Sequence, residues 1–420
     1  MLKASALYMV IIIALVIGIL CSSLVLSAYY YRLQYQKSFR YDRLQTNLGS
    51  GENILLAGAD SSYNVQRTFS LFGDDADSVS LQRVFWGVYD IGVVRAFDQK
   101  DTLYKVFSIA HSIDSGKWAA LYLTDNDRPM AVSGKTMIRG DAFIPKSGVN
   151  QAYLNNQAYS GDKRLIIGTI HNSQRDLPQL DTARLGLFRN LMSQEHGDGN
   201  LHGDSITNSF LISPLTINLG KEPTLLAHIS IAGNIIIFSD TSITIDSTAV
   251  LNHMMIFARS ITVKSGFHGN CQLFARDTIG IGQNCRFDYP SCLGILRFKS
   301  TAIMKSQERI SLGTACSFSG IIFTYEFDKN PVLPLIDLGN KVQVTGQVYS
   351  QGMVAFKDNA VVAGSLFTTG FLYRTSFTLF QNDLMNTTLD ESALSPYYLT
   401  SGMLPVAGPK KKILQWLEAN

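Results

Sequence analysis

The sequence predicts a mostly β chain: a parallel β-helix, or solenoid, with coils of about 18 residues behind an N-terminal transmembrane α-helix. Three observations predict it. The first is one uncharged apolar stretch at the start of the chain. The second is a composition rich in strand-forming residues, with 46% hydrophobic and only 16% charged positions. The third is a column of similar tripeptides recurring through the C-terminal half.

From Ala4 to Tyr31 no residue is charged, and the centre of the stretch reads Met9-Val-Ile-Ile-Ile-Ala-Leu-Val-Ile-Gly-Ile-Leu20. As a helix it crosses the roughly 30 Å of hydrocarbon in a bilayer. Tyr29, Tyr30 and Tyr31 followed by Arg32 have the pattern of an interfacial aromatic belt and a charged stop. The stretch is longer than the apolar region of a secretory signal and ends in bulky tyrosines where a cleavage site has small residues. Residues 1–31 are therefore expected to be a membrane-spanning helix whose partner, through residues 4–31, is the lipid bilayer, and residues 32–56 a juxtamembrane helical stalk.

The tripeptides are Ile243-Thr-Ile245, Ile261-Thr-Val263, Ile279-Gly-Ile281, Ile310-Ser-Leu312, Val342-Gln-Val344 and Ala360-Val-Val362. A second column runs Ala249, Phe267, Cys285, Cys316, Val348 and Leu366. Gly346-Gln-Val-Tyr-Ser350 also repeats as Gly364-Ser-Leu-Phe-Thr368. A period of this size with alternating apolar residues is what stacked parallel strands require, since the inward side chains of one coil lie on those of the next. Two longer intervals are read as insertions around Ile295 to Met304 and Glu326 to Leu335. These features divide the rest of the chain into a β-rich domain over 57–225 with a helical insertion near 180–194, a parallel β-solenoid over 226–375, and a C-terminal tail or cap over 376–420 with a short helix around Ile413 to Leu417.

Net charge is +3, from 36 basic and 33 acidic residues, which leaves no field to recruit nucleic acid. No nucleotide-binding, zinc-protease or serine-hydrolase motif occurs, no cofactor is expected, and the chain reads as a non-enzyme. Ser133-Gly-Lys-Thr136 imitates the end of a phosphate loop but has Pro129 where the leading glycine belongs, so a β-turn is expected. His196, Asp198, Asn200, His202 and Asp204 gather metal-ligand types in one loop, yet the twelfth position of a calcium loop is Ser209, and a solvated loop is the expectation. Arg259 and Arg276, close to one coil apart, are the ligand-surface candidates. Stacking puts Cys285 and Cys316 on adjacent coils, either as buried thiols in a core ladder or as a disulfide.

An apolar N-terminal helix continuing as an amphipathic stalk, here Arg32 to Leu56, resembles bacterial pilin-like and minor pseudopilin proteins. The prepilin-peptidase signature is absent from Met1-Leu-Lys-Ala-Ser-Ala6. By period alone the repeat resembles bactofilins, which polymerise. These resemblances imply a single-pass protein of the bacterial inner membrane, with an extracytoplasmic C-terminal domain that acts as a structural or assembly scaffold through protein partners or self-assembly. Arg32, Lys37, Arg40 and Arg43, flanking the far end of the span, argue for the opposite orientation. The alternative function is carbohydrate binding or polysaccharide cleavage on a face of the solenoid.

Overall fold

The computed structural model describes residues 2–58, 61–71, 77–98, 101–194, 201, 203–298, 307–327, 333–374 and 378–419. It divides into two compact units. The first comprises Met1–Val84, Ile91–Phe107 and Gln415–Asn420, and the second Phe85–Asp90 and Ser108–Leu414.

In the first unit the expected span and stalk are one unbroken helix, α1 (Leu2–Ala57). Its side chains are exposed from Ala6 through Phe39. From Leu44 onward, Leu44, Asn47, Leu48, Gly51 and Leu55 are buried, at the three- and four-residue spacing that lines one face of a helix. Gly51 sets the closeness of that packing: a Cβ there would meet Val94 at 2.7 Å and Leu81 at 2.8 Å, both on strands of this unit. Arg83 closes the helix C-terminus, donating from its guanidinium to the carbonyls of Leu55 at 3.1 Å and Gly58 at 2.8 Å, where the last turn leaves acceptors unfilled. Lys105 pairs with Glu52 at 2.8 Å and lies over the ring of Trp416, which meets Phe107 edge to face.

Strands Arg67–Phe69, Asp77–Trp86, Tyr89–Asp98, Asp101–Ile113 and Ala407–Ala419 form a five-stranded sheet in that order. Residues 407–419 are thus a strand, where the apolar run at Ile413 to Leu417 suggests a helix. A neighbouring strand edge offers backbone hydrogen bonds that a short isolated helix lacks, and tertiary pairing overrides local preference.

The second unit corrects the fold class predicted from the repeat. The chain is mostly β with one long N-terminal apolar helix, but it is not a plain parallel β-helix of 18-residue coils. Its main sheet closes around an apolar interior as a barrel-like wall with further strands outside it. Three findings carry the correction. First, the strands do not follow chain order: Leu121–Leu123 pairs in parallel with Leu366–Thr368 of the strand Val361–Arg374, and Ala142–Ile144 and Ile170–Asn172 follow beyond it. Second, pairing is not all parallel, because Leu379–Gln381 runs antiparallel to Val361–Arg374.

Third, the repeat read from the sequence slips at its second long interval. Ile243, Ile261, Ile279 and Ile310 do pair in register, but the next partner of Ile310 is Ile336, not Val342. Ser317 likewise pairs with Gln343, so the rung after Cys316 begins at Val342. The slip is six residues, an even number, and a period-two apolar pattern looks the same after any even shift. The first interval also differs from its reading, since Ile295 lies inside the strand Arg286–Arg297. With a period of 18 no longer general, the likeness to bactofilins has no support.

One wall of the interior carries Gly320, Gly346 and Gly364 in register, with φ of +143°, +136° and +141°. Along the outer face, charges pair one rung apart. Arg259 meets Asp277 at 2.7 Å and Lys264 meets Asp246 at 2.8 Å. The hydrogen bond from Lys264, with those from the backbone and hydroxyl of Thr248, holds the Asp246 carboxyl down to about 2. A carboxylate favoured in the folded state contributes stability above its unfolded pKa and loses it as pH falls through the folded value, here between about pH 4 and pH 2. Carboxyl-carbon NMR titration is expected to give a midpoint near 2 for Asp246, rising toward the ordinary aspartate value in Lys264→Met. An unmoved midpoint in that variant would exclude the ion pair as the cause.

Candidate functional site

Helix α2 (Thr182–Ser193) falls inside the helical stretch that the sequence predicts. Asp181 caps it, its carboxylate accepting from the backbone N–H of Arg184 at 2.9 Å. Arg184 in turn pairs with Asp90 at 2.8 Å and donates to the carbonyl of Tyr89 at 2.9 Å. The apolar face of α2 rests on Phe188, fully buried against Phe85, Phe257 and Phe274. Phe257 and Phe274 belong to an aromatic column that begins at Phe238, with stacked centroids 5.1 Å and 4.9 Å apart.

Where α2 ends, this column forms one wall of an open groove of about 350 Å³. Met192 and Gln194 border it from the helix end, and Asn218, Ser239, Asp240 and Arg276 supply the polar lining. Asp240 and Arg276 each stand two residues beyond a phenylalanine of the column, on rungs separated by that of Phe257. Neither side chain has a hydrogen bond or ion pair among the described residues.

The two arginines singled out in the sequence therefore separate. Arg259 is held by Asp277 on the surface, and the pair raises its pKa. Arg276 alone lines the groove. Asn218 and Gln194, which also line the groove, come from different elements and carry no motif. The offset from the phenylalanine column is the signal that finds Asp240.

Of the loop residues with metal-ligand chemistry, His196, Asp198, Asn200 and His202 lie outside the described residues. Asp204 opens a rung, its carbonyl accepting from the N–H of Ser230 at 2.8 Å. Among the described residues no three His, Cys, Asp or Glu side chains converge as a metal site. Gly134 and Lys135 form a turn, with Gly134 at φ +58° and the Lys135 N–H donating to Asn386 Oδ1 at 3.0 Å.

Cys285 and Cys316 are free, buried thiols. Cys316 Sγ donates to the carbonyl of Gly282 at 2.9 Å and Cys285 Sγ to that of Lys264 at 3.2 Å. The proximity of the two sulfurs lowers the Cys285 pKa and raises that of Cys316. Burial alone pushes the Cys271 thiol up to about 12, and burial together with the neighbouring Cys271 pushes Cys292 well above its ordinary value.

No protein-family model and no curated protein matches the chain. Among solved structures it is similar to the competence-associated pilin ComZ from Thermus thermophilus, at 12% identity and a TM-score of 0.23, with 92% of this chain and 96% of that one covered.

Proposed function

We propose that the protein is a non-catalytic, membrane-anchored scaffold of the bacterial envelope. In this reading α1 spans the inner membrane once, the β units stand on the extracytoplasmic side, and their surface assembles with envelope partners or with further copies of the chain. The observation that carries the reading is the change of environment along α1. One 56-residue helix, about 84 Å long at 1.5 Å per residue, leaves its apolar first half exposed and seats its last turns on strands. A 52-residue segment, Ala6–Ala57, contains a window apolar enough to cross a bilayer, and none of that window is buried. An unbroken helix of this kind transmits position from a membrane to a folded unit without a flexible joint.

The outer-face charges support a scaffold as well. Arg259 with Asp277, Lys264 with Asp246, and Arg309 with Asp337 neutralise one another along successive rungs. Such ladders suit a surface that holds its shape.

The test is a single thiol on the second unit. Tyr397 is 89% exposed, Cys271, Cys285, Cys292 and Cys316 are buried, and Cys21 is exposed within the apolar stretch of α1, so Tyr397→Cys introduced together with Cys21→Ser adds one reactive site to a Cys21→Ser parent. An impermeant maleimide is expected to label the variant in intact cells, or after outer-membrane permeabilisation alone, well above the parent protein. Labelling only after the inner membrane is breached would place the unit in the cytoplasm and overturn the proposal.

A further inference from the structure

We propose that the groove beyond α2 binds a neutral saccharide, with Arg276 and Asp240 as its two recognition poles. The argument starts from charge. A guanidinium and a carboxylate line one groove without pairing to each other or to any other described side chain. An anion there would face Asp240 and a cation would face Arg276, so simple ions of either sign are disfavoured. A ligand that both donates and accepts along its length satisfies both groups, and a run of sugar hydroxyls does so without net charge.

The remaining lining points the same way. Asn218, Gln194 and Ser239 are neutral side chains able to donate and accept, and Phe238 and Phe257, stacked face to face and buried, close the groove floor beneath them. Asp240 lies in the bend just after the strand that carries Phe238, and Arg276 in the strand that carries Phe274, two rungs away with the Phe257 rung between them. At the spacing of paired strands, two rungs are about 10 Å, a separation that one sugar ring and its substituents bridge. The volume of about 350 Å³ accommodates a mono- or disaccharide.

The neighbouring rung supplies an internal comparison. Arg259 occupies the corresponding place after Phe257 but is engaged with Asp277, so it resembles Arg276 in position and differs in availability. Recognition therefore depends on Arg276 and Asp240 and not on Arg259.

The experiment applies the full chain, in detergent, to an immobilised array of neutral and acidic glycans. Retention on neutral glycans is expected, falling at least tenfold in both Arg276→Met and Asp240→Asn and unchanged in Arg259→Met. All three positions lie at the surface, and circular dichroism of each variant confirms that the fold is intact. Absence of retention on every glycan would overturn the proposal. So would retention that survives both groove substitutions, or that is confined to acidic glycans and lost only with Arg276. The outcome is independent of the membrane orientation tested above.

Discussion

Gly346→Ala is expected to destabilise the second unit by at least about 3 kcal/mol, because a backbone with φ of +136° is accessible almost only to glycine and the new methyl has nowhere to go. A Cβ at this position would lie 2.1 Å from the carbonyl oxygen of Gly320 on the preceding rung. That oxygen is backbone within a paired strand and cannot swing aside as a side chain would. Gly320 and Gly364 meet the carbonyl oxygens of Ser291 and Gly346 in the same way, at 1.9 Å and 2.0 Å, so the three form one line along which strands approach too closely for any side chain. Gly280, also in a strand, is the contrast: its nearest neighbour would be Ser311 Oγ at 3.8 Å. Chemical denaturation of the solubilised protein should therefore show a large loss for Gly346→Ala and a change within about 0.5 kcal/mol for Gly280→Ala. Equal losses in the two variants would mean that the glycine line is not what fixes the spacing of these strands.

Placing arginine at both Ile12 and Val16 is expected to abolish stable membrane association. Each arginine near the centre of a spanning helix costs about 2.5 to 3.5 kcal/mol of insertion free energy, and two on one face give about 5 to 7 kcal/mol, enough to reverse the preference of a single span. The fraction of protein resisting alkaline carbonate extraction measures it directly. Arginine at Tyr35, which is exposed on the same helix beyond the aromatic belt, should leave that fraction unchanged. Both substituted positions lie in α1 and neither in a strand, so the far-UV circular dichroism of the strands should persist in the double variant. Full carbonate resistance in the double variant would show that Ala6 to Tyr31 does not hold the chain in a bilayer.

These two expectations draw on parts of the chain that were unequally legible in the sequence. The apolar helix was readable because nothing competes with hydropathy over so long a stretch, and helix formation there needs no distant partner. The pairing of Ile243 with Ile261 and Ile279 was readable because one rung follows the next at constant spacing. The fold class was not, for two physical reasons. Alternation of apolar and polar residues carries no memory of absolute register, so the rung at Ile336 was missed in favour of Val342 six residues on. And the strands at Leu121–Leu123 and Ala142–Ile144 are three residues each, too short to announce a period, while Leu121–Leu123 has a partner at the far end of the chain.

The groove was half legible. Arg276 stood out by its repeat with Arg259, but sequence spacing cannot tell an arginine held by Asp277 from one with no described partner. Asn218 and Gln194 reach the groove only through the three-dimensional course of the chain.

The junction between Leu121–Leu123 and Leu366–Thr368 also sets a schedule for biosynthesis. Thr124 donates from its hydroxyl to the carbonyl of Thr369, a partner 245 residues later, so a ribosome moving from N- to C-terminus exposes the earlier strand long before its template exists. At elongation rates of about 5 to 20 residues per second the wait is on the order of 10 to 50 seconds. Throughout that interval the segment from Leu121 to Asn172 has unpaired edges and uncovered apolar side chains, and closure of so long a loop comes late in any folding route. A chain interrupted before residue 366 would leave the edge of Leu121–Leu123 permanently without its partner, so the late part of the chain acts as the quality check on the early one.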